Sequence, residues 1–91
     1  MSNENIIKAI SDARTILQRY EIYGEAVRQG LKQLDALENL VKNGEYNEAY
    51  SLGVKLYSTL SPYRDYVPDL VAKADVIKVL LEQKRESTTG V

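Results

Sequence analysis

Residues 5–42 read NIIKAISDARTILQRYEIYGEAVRQGLKQLDALENLVK, and their apolar side chains recur at steps of three and four residues. This spacing places them on one side of an α-helix. The repeat continues across Gly24 without an intervening proline, as is typical of a supercoiled, coiled-coil helix. Glu38 is the one charged residue in the stripe, and we interpret it as the point where the stripe moves to Leu37 and Leu40. The stretch predicts one long first helix.

The alternative to one long helix is a break near Gly24. Glycine weakens a helix interior by about 1 kcal/mol relative to alanine, and it is also common where helices end. Serine, threonine, aspartate and asparagine are absent between Leu17 and Leu34, so a restarted helix would lack a good N-terminal cap. We therefore favour the continuous helix. A break at Gly24 would instead give a compact four-helix bundle.

Two shorter helices are predicted after the first. Asn43-Gly44 ends the first helix, because glycine tolerates a left-handed backbone. A second helix is expected over about 45–60, where Ser61-Pro62 ends it. A third helix is expected with Asp65 as its cap and Pro68 in its first turn. The apolar faces are expected to comprise Tyr46, Ala49, Gly53, Leu56, Tyr57 and Leu60 in the second helix, and Val67, Leu70, Val71, Ala74, Ile77 and Leu81 in the third.

Together these elements predict an all-α fold, either an antiparallel helical hairpin or a three-helix bundle with a long first helix. The third helix is expected to run to about Arg85. We expect residues 1–91 to form a single helical-bundle domain, with an ordered core over about 4–86 and a frayed tail at 87–91.

Composition excludes several classes of function. The chain has no histidine and no cysteine, so a disulfide scaffold, a thiolate zinc site and a Glu-x-x-His di-iron site are excluded, and no cofactor is expected. Twelve basic and thirteen acidic residues give a net charge of −1, which argues against nucleic-acid binding. The polar start and the lack of a long apolar run argue against a secretory signal and a membrane span. We expect a cytoplasmic protein.

The third helix has a second apolar face. Ala72, Val76 and Val79 follow one another at helical spacing, on the side opposite the stripe that holds Ile77 and Leu81. A helix that is apolar on two faces is usually buried on both, and exposed apolar patches commonly mark interaction sites. These three residues are the first predicted partner-binding surface, with a second copy of the chain as the expected partner.

Seven tyrosines are the only aromatic residues. Tyr46, Tyr50 and Tyr57 fall along one edge of the second helix, and Tyr63 and Tyr66 follow in the kink. Tyrosine combines an apolar ring with a polar tip, so it suits the border between a core and either water or a partner. Closing the edge of the bundle is the favoured role for the helical set, and partner binding is the alternative.

Paired carboxylates supply the alternative function. Glu45 and Glu48 stand three residues apart on one helix face, and Mg²⁺ prefers oxygen ligands. Their ExxE spacing resembles the first half of the acidic motif of all-helical nucleotide pyrophosphohydrolases, which implies a divalent-metal-dependent hydrolase. The second half of that motif, ExxD, does not follow, since the later acids are Asp65 and Asp69.

A second short resemblance concerns Gly44-Glu45-Tyr46-Asn47-Glu48-Ala49, with Gly53, Leu56 and Ser61-Pro62 following. This segment resembles the second helix of a tetratricopeptide repeat. No copy recurs at the period of about 34 residues that such arrays require, so the resemblance implies shared helical-hairpin chemistry and not family membership. The sequence favours a small, non-catalytic helical interaction or assembly subunit that self-associates as a homodimer.

Overall fold

The computed structural model describes residues 3–20 and 25–89, apart from the side chains of residue 26 and residues 87–89. Within these ranges the chain forms helices and no β-strand, which confirms the predicted all-α bundle. The four helices are α1 (Asn3–Gln18), α2 (Glu25–Lys42), α3 (Tyr46–Leu60) and α4 (Pro68–Thr89), with a 3₁₀ helix at Ser61–Tyr63. No helix of the described ranges is both long and apolar enough to span a bilayer.

The prediction of one long first helix is wrong. α1 ends at Gln18, and the amides of Arg19 and Tyr20 bond to carbonyls three residues back at 3.1 and 3.0 Å. α2 then packs against α1. The longest dimension of the bundle is 44 Å, whereas residues 5–42 as one helix would span about 57 Å at 1.5 Å per residue. The alternative break near Gly24 falls in 21–24, outside the described residues.

The heptad stripe is buried within the chain. Ile10 and Leu17 of α1, and Leu34 and Val41 of α2, are at most 2% exposed. Antiparallel helix bundles and coiled coils use the same side-chain packing, so the spacing predicts a buried seam without saying which helix covers it. Folding α2 back on α1 covers both halves of the stripe at once. No continuous coiled-coil helix is needed.

Each helix packs against two others. α1 contacts α2 and α4, and α3 also contacts α2 and α4. Asn3 donates to the carbonyl of Val41 at 3.3 Å, so α1 and α2 run antiparallel. The hydroxyl of Tyr46 donates to the side-chain oxygen of Asn3 at 2.8 Å, which places the start of α3 beside the start of α1.

The turn between α2 and α3 forms as predicted. Gly44 has φ +75°, a conformation that residues with a Cβ atom rarely adopt. Its amide donates to the carbonyl of Val41 at 3.1 Å, and the amide of Glu45 donates to the carbonyl of Leu40 at 2.9 Å. These two bonds form a Schellman motif, which satisfies carbonyls that the end of α2 leaves free.

The kink between α3 and α4 differs in one detail from its prediction. α3 ends at Leu60, and Pro68 opens α4, as expected. Asp65 is not the N-terminal cap of α4, because the helix begins at Pro68 and the residue before it is Val67. The carbonyl of Val67 instead accepts the amides of Leu70 and Val71, both at 3.1 Å.

α4 is longer than predicted. It continues to Thr89, beyond the expected end near Arg85 and into the segment predicted to fray. Residues 90–91 lie outside the described residues. Lys84, within the predicted helix, lies over the ring of Tyr46 at the start of α3. The added turn therefore extends α4 beyond the start of α3.

Candidate functional site

Exposed large apolar side chains fall in two places among the described residues. Val76 and Val79 are 43% and 40% exposed on the outer side of α4. Tyr63 and Tyr66 are 47% and 80% exposed in the kink between α3 and α4. The remaining large apolar side chains of the described ranges are buried or half-buried. These two places are therefore the candidate sites for binding.

The outer strip consists of Ala72, Val76 and Val79, all exposed. On the opposite side of α4, Ile77 and Leu81 are fully buried in the core. The structure thus places the predicted surface away from the core, on the second apolar face of α4. Within this single copy of the chain, the outer strip faces solvent.

Ion pairs border the outer strip on both sides. Lys73 lies 3.5 Å from a carboxylate oxygen of Asp12 on α1. Lys78 lies 3.5 Å from Asp75, one helical turn back on α4. Their charges are balanced within the chain, so the strip is an apolar centre with a polar border. Protein interfaces commonly have this organisation.

The tyrosines of the α3 edge lie on the seam with α4, and each packs beneath a cation. The distances from cation to ring centre are 5.3 Å for Lys84 over Tyr46, 4.2 Å for Arg85 over Tyr50 and 4.5 Å for Lys78 over Tyr57. Such contacts are worth about 0.5–1 kcal/mol each at exposed sites. These half-buried rings are engaged within the chain, so the outer strip is the better candidate of the two predicted surfaces.

A cavity of about 380 Å³ opens at one end of the bundle. We call it the end cavity. Tyr20 at the end of α1 and Tyr63 and Tyr66 in the kink bring phenol groups to it. Its described lining comprises Leu17, Tyr20, Val27, Thr59, Leu60, Tyr63, Tyr66, Val67 and Leu70.

Sequence reasoning missed the end cavity. The reversal of the chain after α1 brings Leu17 and Tyr20 to the same end of the bundle as the kink. The long-helix prediction kept these regions apart. The available signal was Tyr63 and Tyr66, which fall in the predicted kink, where bulky rings have few helical neighbours to pack against. Tyr20 gave no such signal, because the long-helix prediction placed it inside a helix.

Glu38 forms the main charged cluster. One carboxylate oxygen accepts from Arg14 at 2.8 Å, and the other lies 2.8 Å from Lys42. Hydrogen bonds from Lys42 and Arg14 hold the pKa of Glu38 below its ordinary value, and the bond to Glu38 raises the pKa of Arg14. Both groups therefore hold their charges more firmly. General acid–base catalysis needs the opposite, a pKa close to neutral pH.

The acids of the hydrolase alternative do not form a cluster. Glu45 and Glu48 are both exposed. Across the described ranges, no three acidic side chains come together in a way that could hold a metal ion. The neighbouring acids that this alternative requires are therefore not supplied by the described part of the chain.

Comparisons with protein-family models, with curated proteins and with solved structures find no match to this chain. The tetratricopeptide resemblance corresponds in the structure to α3 and its Schellman turn, within the packed pair α2 and α3. Function is therefore inferred from the surfaces of this chain alone.

Proposed function

We propose that this protein is a small helical interaction subunit that self-associates through the outer strip. The observation that supports this is the two-sided character of α4. Its inner face fills the core, while Val76 and Val79 on its outer face remain 43% and 40% exposed. Covering apolar surface is favourable by about 25 cal/mol per Å², so a partner that covers the strip gains free energy.

The partner of the strip is a second copy of the chain. Val76 and Val79 lie near the middle of α4, and the exposed outer positions toward its two ends are polar, with Asp69 on one side and Gln83 and Glu86 on the other. Two copies of α4 that pack antiparallel about a two-fold axis bring the apolar centres together. A two-fold interface uses the same patch on both subunits, so the apolar centre of one copy covers that of the other.

The dimer is a reversible one. The apolar centre holds two valines and an alanine, which is much less than the extensive hydrophobic surface of obligate dimers. We therefore expect the fraction of dimer to rise as the protein concentration rises. Because the chain contains no cysteine, the assembly needs no oxidising compartment, and we place it in the cytoplasm.

The test is a Val76→Asp substitution with Ala36→Asp as its matched control. Both positions are exposed and helical, but Ala36 lies on α2, away from the strip. Light scattering coupled to size exclusion, over a wide range of loading concentrations, measures the mass. We expect a dimer at high concentration for the native chain and for Ala36→Asp, and a monomer for Val76→Asp.

Two results would contradict this function. One is a native chain that stays monomeric at every concentration, and the other is a Val76→Asp mass equal to that of the native chain. Circular dichroism establishes that the variant keeps its helices, which is expected because Val76 is not part of the core. Val79→Asp repeats the test at an independent position.

A further inference from the structure

We propose that the end cavity is a binding site for a neutral, apolar small molecule that contains one or two rings. This inference is independent of self-association, since the end cavity and the outer strip are formed by different residues. It adds ligand binding to a protein whose other proposed role is assembly.

The size of the end cavity suits a small ligand. Binding pockets for small molecules typically measure about 300–1,000 Å³, and the end cavity measures about 380 Å³. A single ring or a fused pair of rings fits this space.

The floor of the end cavity is aliphatic and held in place. Leu17 and Leu70 are each 2% exposed, and Leu60 and Val67 are also buried. These side chains belong to the hydrophobic core that joins the four helices. A ligand would therefore meet a surface that is already ordered, which lowers the entropic cost of binding.

The rim supplies aromatic faces. Tyr63 and Tyr66 extend into solvent beside the opening, and Tyr20 contributes a third ring. Aromatic pairs in offset-stacked or edge-to-face arrangements are worth about 0.5–1.5 kcal/mol beyond the area that they bury. Three phenol rings around one opening thus favour a ligand that has a ring of its own.

The described lining of the end cavity is uncharged. Its described residues include no aspartate, glutamate, lysine or arginine. A charged ligand would lose hydration against these described residues without gaining an opposite charge from them, which is costly. The hydroxyl of Thr59 already donates to the carbonyl of Lys55 at 2.9 Å, so it offers the ligand an acceptor and not a donor. These features favour a neutral molecule.

Indole is a suitable probe, because it is neutral and bicyclic. The chain has no tryptophan, so indole fluorescence can be followed without an indole signal from the protein. The methyl groups of Leu17, Val27 and Leu70 report on the cavity by NMR, since a bound ring shifts their resonances. We expect saturable shifts of these methyl groups together with a change in indole emission.

Thr59→Phe fills the end cavity, and Thr15→Phe is its matched control. Each threonine hydroxyl donates to the carbonyl four residues back, at 2.9 Å for Thr59 and 3.1 Å for Thr15, so each variant loses the same bond. Only Thr59 lines the cavity. We expect indole binding to weaken by about tenfold or more in Thr59→Phe, equivalent to about 1.4 kcal/mol, and to be unchanged in Thr15→Phe.

Tyr66→Ala tests the same site without touching the core, because Tyr66 is 80% exposed. It should weaken indole binding about threefold through the loss of one ring, and it shows whether indole binds in the end cavity if Thr59→Phe fails to fold.

The proposal is overturned if indole shifts no cavity methyl group, or if it shifts those of Val76 and Val79 equally. It is also overturned if the cavity methyl groups shift on dilution alone, which would mean that a second copy fills the cavity.

Discussion

Arg14 on α1 donates a hydrogen bond of 2.8 Å to a carboxylate oxygen of Glu38 on α2. Lys42 approaches the other carboxylate oxygen, also at 2.8 Å. Arg14 further donates to Asp35 at 3.0 Å. The side chains of Arg14 and Glu38 are 27% and 23% exposed, so water screens this pair less than it screens a fully exposed one. The cluster fixes how α1 lies against α2.

Replacing Glu38 with glutamine should destabilise the protein in a pH-dependent way. Hydrogen bonds from Lys42 and Arg14 lower the pKa of Glu38 in the folded state. A lowered folded-state pKa stabilises the fold above the unfolded pKa of about 4.3, and this contribution is lost as the pH falls through the folded value. We expect Glu38→Gln to cost about 1 kcal/mol at pH 7, and the cost to disappear as the pH falls below the lowered folded-state pKa.

Urea denaturation at a series of pH values measures this difference. Glu86→Gln is the control, because Glu86 is an exposed carboxylate far from the first turn of α4, where a negative charge would be stabilising. Its removal should change stability little at any pH. A penalty for Glu38→Gln that is equal at acidic and neutral pH would show that lost packing, and not lost charge, is responsible.

Much of the local structure could be predicted from the sequence. Each helix has its own apolar stripe, so the buried side was predictable for residues such as Leu34 and Ile77, and Gly44 marked the end of α2. Leu37 is fully buried, as the interpretation of Glu38 expects, but Leu40 is only half-buried and Val41 stays in the core, so the stripe does not move fully. The reversal between α1 and α2 was not predicted, because a heptad stripe is the same whether a distant part of its own chain or another chain covers it.

The two candidate sites also differ in how far the sequence alone could predict them. The outer strip is a property of one helix, so the spacing of Val76 and Val79 was enough to locate it. The end cavity combines Tyr20 with Tyr66, which come from opposite halves of the chain. Only the tertiary fold places such residues around one opening.

Gly44→Ala should destabilise the turn between α2 and α3. Gly44 has φ +75°, and nothing lies within 4 Å of where a Cβ atom would be. The cost is therefore conformational and not steric, about 1–2 kcal/mol for a residue forced into the left-handed region. Asparagine tolerates this region better, so Gly44→Asn should cost less than Gly44→Ala. If urea denaturation shows the same loss of unfolding free energy for Gly44→Ala and Gly44→Asn, this account of the turn is wrong.

Gly30 permits the close approach of α2 to Leu17. A Cβ atom at this position would lie 2.7 Å from a methyl carbon of Leu17, which is buried and ordered. Gly30→Ala gains about 1 kcal/mol of helix propensity but must displace that methyl group. Because Leu17 borders the end cavity, its methyl group has room to shift, and we expect the gain and the loss to nearly cancel.

A double-mutant cycle isolates this contact. In a Leu17→Ala background the obstacle is gone, so Gly30→Ala should become stabilising by about 1 kcal/mol from propensity alone. The two substitutions would then be coupled by about 1 kcal/mol. Additive effects would mean that Leu17 is not what limits the size of residue 30.

Tyr57 tests whether the α3 edge is structural. Its ring lies 4.5 Å from Lys78, and its hydroxyl accepts a bond of 2.9 Å from Arg64. Tyr57→Ala should cost about 2–3 kcal/mol through lost packing, while Tyr57→Phe should cost about 0.5 kcal/mol through the exposed hydrogen bond. Neither should alter the monomer–dimer equilibrium. Loss of the dimer in a folded Tyr57→Ala variant would assign this edge to the interface as well.

Self-association should make thermal stability depend on protein concentration. A dimer that forms only from folded chains shifts the equilibrium away from the unfolded state. For a domain of this size, a tenfold rise in concentration should raise Tm by up to about 4 °C. Val76→Asp should abolish that dependence, while Ala36→Asp should keep it. Circular dichroism melts at matched concentrations measure both effects. A concentration-independent Tm in the native chain, together with a monomeric mass, would remove the outer strip as an interface and leave the end cavity as the site to pursue.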